Sequence, residues 1–270
     1  MPDQSEASVE SSDLGAFPAP HFDVRDFART AVGSYRSELD LDGYRRSPLS
    51  ADTLRVLGYL QVIERATMTH LRSVLVTAAH KDARVTAFLV TWAYEKYWIA
   101  DALEQILLAH KPEGAESDSV FRTPVEKTIR ESIVANIIGV PMIAVHMTIG
   151  TVDEWLTQAA YGRVADLAGN SDLSATLARF REVKERQLDF FEAQARFRLT
   201  ESPRSRSLTR RRLKKTPLPI GAKAEPTAET RFFYDYLFGS APELVSELDA
   251  RIDSLPGQDG LGLIRKAAHS

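Results

Sequence analysis

Three charged side chains stand in the middle of largely apolar, helix-like stretches, Glu64 in YLQVIERATMTHL, Lys96 in YEKYWIADAL and Glu154 in GTVDEWLTQAAY; a fourth helix-like stretch, EVKERQLDFF, carries several charges. Carboxylates on facing helices are the raw material of a di-metal centre. Such a centre takes one Glu from each of two helices and a Glu-x-x-His from each of the other two, and the i, i+3 spacing puts both groups on one face. Glu64 has His70 nearly two turns later, and Glu154 shares its face with Thr157 and Tyr161. The second and fourth stretches contain no Glu-x-x-His, so spacing alone builds no metal site. A lysine among aromatics offers other chemistry, because a desolvated amine with a lowered pKa serves as a base or an imine-forming nucleophile without a cofactor.

The elements that must position these groups are long. Helical periodicity runs from about Ala51 to Ala79 after the N-cap candidate Ser50, and from about Asp82 to His110. It resumes from about Val125 to Leu167, with a kink or break expected near Val140 because Pro141 lacks a backbone donor. The fourth run spans about Asp172 to Leu199, with Ser171 as the expected N-cap. Helices of roughly 28 residues are about 40 Å long. Strand signals are almost absent, so the expected class is all-α, a four-helix bundle with short C-terminal helices. The expected organisation is a disordered tail and lead-in over 1–45, a bundle over 46–200 and a helical extension over 201–270 that packs on it.

The 270 residues are 44% apolar, enough for a full core, and carry a formal charge of -3. Lack of cysteine excludes disulfides, thiolate metal sites and thiol catalysis. The first twenty residues carry four acids, no Lys or Arg and no apolar run, which reads as a disordered acidic tail and not a signal peptide. Ile133 to Val152 is apolar but interrupted by Asn136, Gly139, Pro141 and His146, which favours a buried helix over a membrane span. A cytoplasmic location is the expectation. The run Arg204 to Lys215 has seven basic residues in twelve. Without interleaved aromatics or a basic overall charge it reads as a solvated helix crossing acidic faces of the bundle, and not as a nucleic-acid site. No phosphate-cradling, nucleophile-elbow or calcium-loop pattern occurs.

The segments FLVTWAYEKYWIADAL, GTVDEWLTQAAYGRVA, EVKERQLDFFEAQARFRL, SLTRRRLKKTPLPIG and ELDARIDSLPGQDGLGL resemble a family of actinobacterial ferritin-like proteins. These are relatives of the di-iron acyl-carrier-protein desaturases and ribonucleotide reductase small subunits, and the similarity runs from about Leu54 to Ile264. The family pattern for the second helix is Trp-x-x-Glu-Glu-x-x-His-Gly before an Ala-Leu pair. Trp92, Glu95 and Ala102-Leu103 match it, while the ligand Glu falls on Lys96 and the ligand His on Ile99. Phe190 and Phe191 match the aromatic pair of the fourth helix, which places its ligand Glu on Lys184 and its His on Gln187. Glu154, Thr157 and Tyr161 reproduce the third helix, and Glu64 fits the single acid of the first.

The resemblance therefore implies a ferritin-like bundle of di-iron oxidoreductase lineage that keeps two of six ligands. Two ammonium groups would face two carboxylates, a neutral set that needs no metal. Glu95 and Glu185, one residue and about 100° away, should point off the bundle axis. His70 and His146 would serve only in a rearranged site. Trp92, Tyr97, Thr157, Tyr161 and Phe191 either line a pocket for a small apolar molecule or pack as core. The leading expectation is a metal-free protein that binds a small apolar ligand or a partner, with a homodimer as the other partner expectation. The alternatives are an oxidoreductase with an unorthodox iron site, and a cofactor-independent isomerase or cyclase using a buried lysine. Whether the chain is an enzyme is open at this point.

Overall fold

The computed structural model describes residues 22–111 and 139–269. The acidic tail, the loop expected from Pro112 to Pro124 and the opening of the third helix at Val125 lie outside the described residues. Those residues contain ten α-helices and no strand. Four are long: α3 (Ala51–Leu75), α4 (Ala83–Ala109), α5 (Pro141–Ala168) and α6 (Ser171–Glu201). Two short helices, α1 (Val24–Arg29) and α2 (Leu41–Arg46), precede them. Four more follow: α7 (Pro203–Leu213), α8 (Thr227–Phe238), α9 (Pro242–Asp253) and α10 (Leu263–Ala268).

Local chemistry sets the helix ends. Ser50 caps α3, its hydroxyl accepting from the Thr53 amide. The helix stops at Leu75, short of the expected Ala79. The Thr77 hydroxyl donates to the Val74 carbonyl and accepts from the Ala79 amide, turning the chain into a short 3₁₀ segment, Ala78–Lys81. Asp82 then caps α4. The expected break near Val140 is present, and Pro141 stands at the first position of α5, where its missing donor costs nothing. The N-cap of α6 is Asn170, one residue before the expected Ser171. Its side chain accepts from the Leu173 amide while the preceding Gly169, at φ 58°, ends α5.

The long helices pack mainly as two pairs, α3 with α4 and α5 with α6. His110 at the end of α4 accepts from the Leu49 amide at the start of α3, so that pair is antiparallel. The core between the pairs is apolar and aromatic. Phe88 of α4 stacks on Phe190 of α6 at 3.9 Å between centroids, and Phe27 of α1 stacks on Phe88 at 5.2 Å. Each such buried ring stabilises the fold by about 1.5–3 kcal/mol. Close approach of α5 and α6 depends on Gly150, where a Cβ would lie 2.3 Å from Cε1 of Phe191.

The lead-in before the bundle is part of this core. Phe27, Tyr35 and Tyr44 are buried, α1 and α2 lie on α4, and the Tyr44 hydroxyl meets Thr176 of α6 at 3.2 Å. At the other end of the chain, α7 packs on α5 and α6, and α8 packs on α3 and α5. Among the described residues, no helix is long and apolar enough to cross a membrane.

Candidate functional site

Halfway along the long helices, one charged side chain from each meets the other three. Glu64 (α3), Lys96 (α4), Glu154 (α5) and Lys184 (α6) are all at most 2% exposed. Lys96 Nζ lies 3.1 Å from Glu64 Oε2 and 3.2 Å from Glu154 Oε1. Lys184 Nζ lies 3.0 Å from Glu64 Oε1 and 2.9 Å from Glu154 Oε2. Each ammonium therefore bridges both carboxylates, and each carboxylate presents one oxygen to each ammonium. Neutral groups complete the set. The Trp92 indole N–H donates to Glu154 Oε1 at 2.8 Å, Tyr161 donates to Glu64 Oε1 at 2.9 Å, and Lys184 donates to the Thr157 hydroxyl at 3.2 Å. The rings of Trp92 and Tyr161 also lie 5.1 and 5.7 Å from the two ammonium nitrogens.

The helices present these groups for a simple reason. The Glu154, Thr157 and Tyr161 spacing keeps all three on one face of α5, and Trp92 and Lys96 are likewise one turn apart on α4. Burial would otherwise raise the Glu154 carboxyl. Lys184 and Lys96 outweigh it, helped by the hydrogen bonds from Lys184 and Trp92, and hold the group at about 2. Burial also works against the Lys96 ammonium, yet Glu154, Glu64 and Asp153 outweigh it and keep its pKa well above the ordinary lysine value. Burial first, and then the charge of Glu64, pushes the Tyr161 phenol far up, so it remains a donor.

Asp153 is a fifth member that the sequence reading missed. Its Oδ2 is 3.3 Å from Lys96 Nζ and its Oδ1 accepts from the Ile220 amide at 2.5 Å, which ties the segment after α7 to the network. Burial pushes its carboxyl up to about 6. The expected neutral set of four is thus a set of five, three carboxylates to two ammoniums, balanced when Asp153 holds a proton. A signal was present: Asp153 and Glu154 are adjacent acids in the otherwise uncharged run PMIAVHMTIGTVDEWL.

Other expected positions fare differently. Glu95, expected off the bundle axis, is not in solvent there. It is fully buried, accepting from Gln187 at 2.8 Å and from the Val32 amide at 3.0 Å, with burial raising its pKa. The direction 100° off the bundle axis is covered because the 22–46 arm packs over α4. Glu185 is exposed. Gln187 is buried and serves Glu95 instead of the ion network, and Ile99 is buried in the apolar core. Tyr97 is 45% exposed on the outer face of α4 and lines no internal pocket. Trp92, Thr157, Tyr161 and Phe191 do face inward, where Trp92 meets Phe191 edge-on at 5.2 Å. His70 and His146 approach each other, ring to ring at 6.4 Å, beside Trp92.

The donor set does not fit the di-iron centre that the resemblance implies. At four of the six positions stand Lys96, Ile99, Lys184 and Gln187, which supply neither carboxylate nor imidazole, and the oxygens of the other two are engaged by ammonium groups. Among the described residues, no group of three or more His, Asp or Glu is placed to hold a metal ion. Comparison of the chain with models of known families, with curated proteins and with solved structures finds no match in any of the three.

Proposed function

We propose that this chain is a ferritin-like bundle of di-iron oxidoreductase lineage that works without a metal, as a binding scaffold and not as an oxidase. The observation that carries the reading is the pair of bridging ammoniums: two cations, each held between the same two carboxylates, one residue from each of four helices. Two fixed positive charges at that place satisfy the electrostatic need that two bound metal ions would meet. They supply no open coordination position and no electron, so the network itself has no redox step to perform.

Catalysis by a buried lysine is less well supported. A base or imine-forming amine needs a lowered pKa and a path for substrate, whereas Lys96 is held protonated and is 2% exposed. Binding of an apolar molecule within the core finds little room, since Phe191 fills the space over Gly150. The scaffold reading places binding on the outside of the bundle. Protein expressed in iron-supplemented medium should carry far less than one metal ion per chain by elemental analysis, and about two irons per chain would sink the reading. Replacing Lys96→Glu, Ile99→His, Lys184→Glu and Gln187→His together should create a site that binds two cobalt(II) ions. Failure of that folded variant to bind cobalt would refute the assigned register.

A further inference from the structure

The outer face of α4 differs in kind from that of α6. Between Ala83 and Tyr97 its exposed positions are Ala83, Ala87, Val90, Tyr94 and Tyr97, and none of them is charged. On α6 five of the six exposed positions from 178 to 189 are charged, Ala178 being the exception. A helix stripe that faces water is ordinarily polar, and an apolar one marks a contact. Val90, Tyr94 and Tyr97 leave 49%, 46% and 45% of their surface in solvent. The steps of 4, 3, 4 and 3 residues are those of a coiled-coil seam, the spacing by which one helix packs along another.

The seam is graded in size. Its first two positions are alanines, and a cavity of about 610 Å³ opens between them and Phe22, Asp23, Val24 and Arg25 of the arm before α3. Its last two are tyrosines that stand out from the surface. A Cβ on Gly33 would lie 3.1 Å from the Tyr94 hydroxyl, so the arm borders the seam at that end as well. Val90 stands midway. Ala87 precedes it by three residues and Tyr94 follows it by four, while Ala83 and Tyr97 are each seven residues away. A two-fold axis at Val90 therefore lays each tyrosine over an alanine, the isologous arrangement in which residue i meets j and j meets i.

We propose that two copies of this chain pair through this seam, antiparallel about Val90, with Tyr94 and Tyr97 of each seated in the cavity over Ala87 and Ala83 of the other. Tyrosine suits the place, because its ring covers the apolar floor while its hydroxyl reaches the polar rim that Asp23 and Arg25 provide. The seam is about 21 Å long at 1.5 Å per residue. A face of about 25 Å by 20 Å on each copy, the seam and the arm beside it, gives about 1,000 Å² buried in total, the lower end for a specific contact. The pair is accordingly a reversible one, exchanging with single chains at micromolar concentration. This goes beyond the scaffold reading and does not depend on the buried network.

The test follows the mass of the full chain by sedimentation from nanomolar to high micromolar concentration, and a reversible shift from one to two chain masses is expected. Tyr94→Ser with Tyr97→Ser should raise the Kd at least about 100-fold, since two-fold symmetry removes each tyrosine twice and buried tyrosines are strong interface anchors. Both side chains project from the single chain, so the variant should fold, as a far-UV circular dichroism spectrum like the parent's would verify. Register can be read by cross-linking, because the chain has no cysteine of its own. Val90→Cys should link to itself under mild oxidation. Ala87→Cys should not, its two copies lying about 10 Å apart along the helices, beyond the reach of a disulfide. Equal linking of the two, or of Val90→Cys and Ala178→Cys on the charged face of α6, would overturn the antiparallel seam, as would a dimer that the tyrosine substitutions leave intact. A single chain at every concentration would overturn the pairing and leave the seam to be covered by 1–21 or 112–138 of the same chain. That result would not touch the metal-free reading, which elemental analysis decides.

Discussion

Replacing Lys184 by Met is the sharpest probe of the network, because it keeps an unbranched stem of similar length and removes the ammonium with its hydrogen bonds. Lys184 Nζ contacts Glu64 at 3.0 Å and Glu154 at 2.9 Å, both fully buried. Among the charges that favour ionised Glu154, Lys184 ranks ahead of Lys96. Together with the hydrogen bonds they hold the group at about 2 against an ordinary 4.5, which corresponds to about 3 kcal/mol at neutral pH. Removing one partner of a buried ion pair typically costs about 3–5 kcal/mol, since the other is left uncompensated. Lys184→Met should therefore lose about 3–5 kcal/mol in urea unfolding at pH 7, and its Tm should fall by roughly 10 °C.

A second substitution separates charge from packing. Glu64→Gln in the Lys184→Met background leaves Glu154 and Asp153 facing Lys96, the same excess of one carboxylate as in the parent, and keeps an oxygen for the Tyr161 hydroxyl, which donates to Glu64 at 2.9 Å. The double variant should be more stable than additivity allows by about 0.5–3 kcal/mol. The single variant should also recover stability as pH falls from 7 to 5. Its three carboxylates, Glu64, Glu154 and Asp153, then share one ammonium, so a folded-state pKa is raised and the penalty for ionisation is present only above it. A Lys184→Met protein within about 1 kcal/mol of the parent, or strict additivity of the pair, would refute a coupled buried network.

Asp153 gives the parent its own pH signature. Burial raises its folded pKa to about 6 from 3.8, so the native state is favoured while Asp153 is protonated and loses that advantage as pH rises through 6. Stability should fall by about 1 kcal/mol between pH 5 and pH 7. Below the ordinary glutamate range the opposite effect takes over, as protonation of Glu154 removes its contribution on the way down to about 2. Asp153→Asn still offers an oxygen to the Ile220 amide and should flatten the pH 5 to 7 slope; an unchanged slope would assign it to another group. Gly150→Ala should destabilise by about 1–3 kcal/mol despite the better helix propensity of Ala, because its Cβ would lie 2.3 Å from Phe191 Cε1. Phe191→Leu in the same chain should relieve part of that loss, and a stabilised Gly150→Ala would show that the two helices separate easily.

Much of the architecture was legible because periodicity and caps are local. Ser50 and the 82–110 run could be read directly, whereas Lys96 and Lys184 stand beside other charges on their helices and are set inward only by the register that the family resemblance implies. The surprises share a cause: each depends on a layer that sequence spacing does not describe. Glu95 lies off the bundle axis, as a turn of about 100° per residue predicts. That direction is interior here, since Val32 and the arm before α3 cover it. Tyr97, placed inward for its aromatic type, lies on the uncovered side of the same helix. Asp153 could be noticed as a charge in an apolar run, but its partner, the Ile220 amide, is 67 residues away.

By itself the sequence determined that the chain is helical, where its long helices begin, and that a few charges must be buried among apolar neighbours. These are consequences of backbone propensity and of periods of 3.6 residues, which act over a handful of positions. Only the tertiary structure decided how those charges meet. Whether an ammonium lies 3 Å or 10 Å from a carboxylate on another helix depends on the rotation and depth of both helices, and those are set by packing such as Phe191 against Gly150.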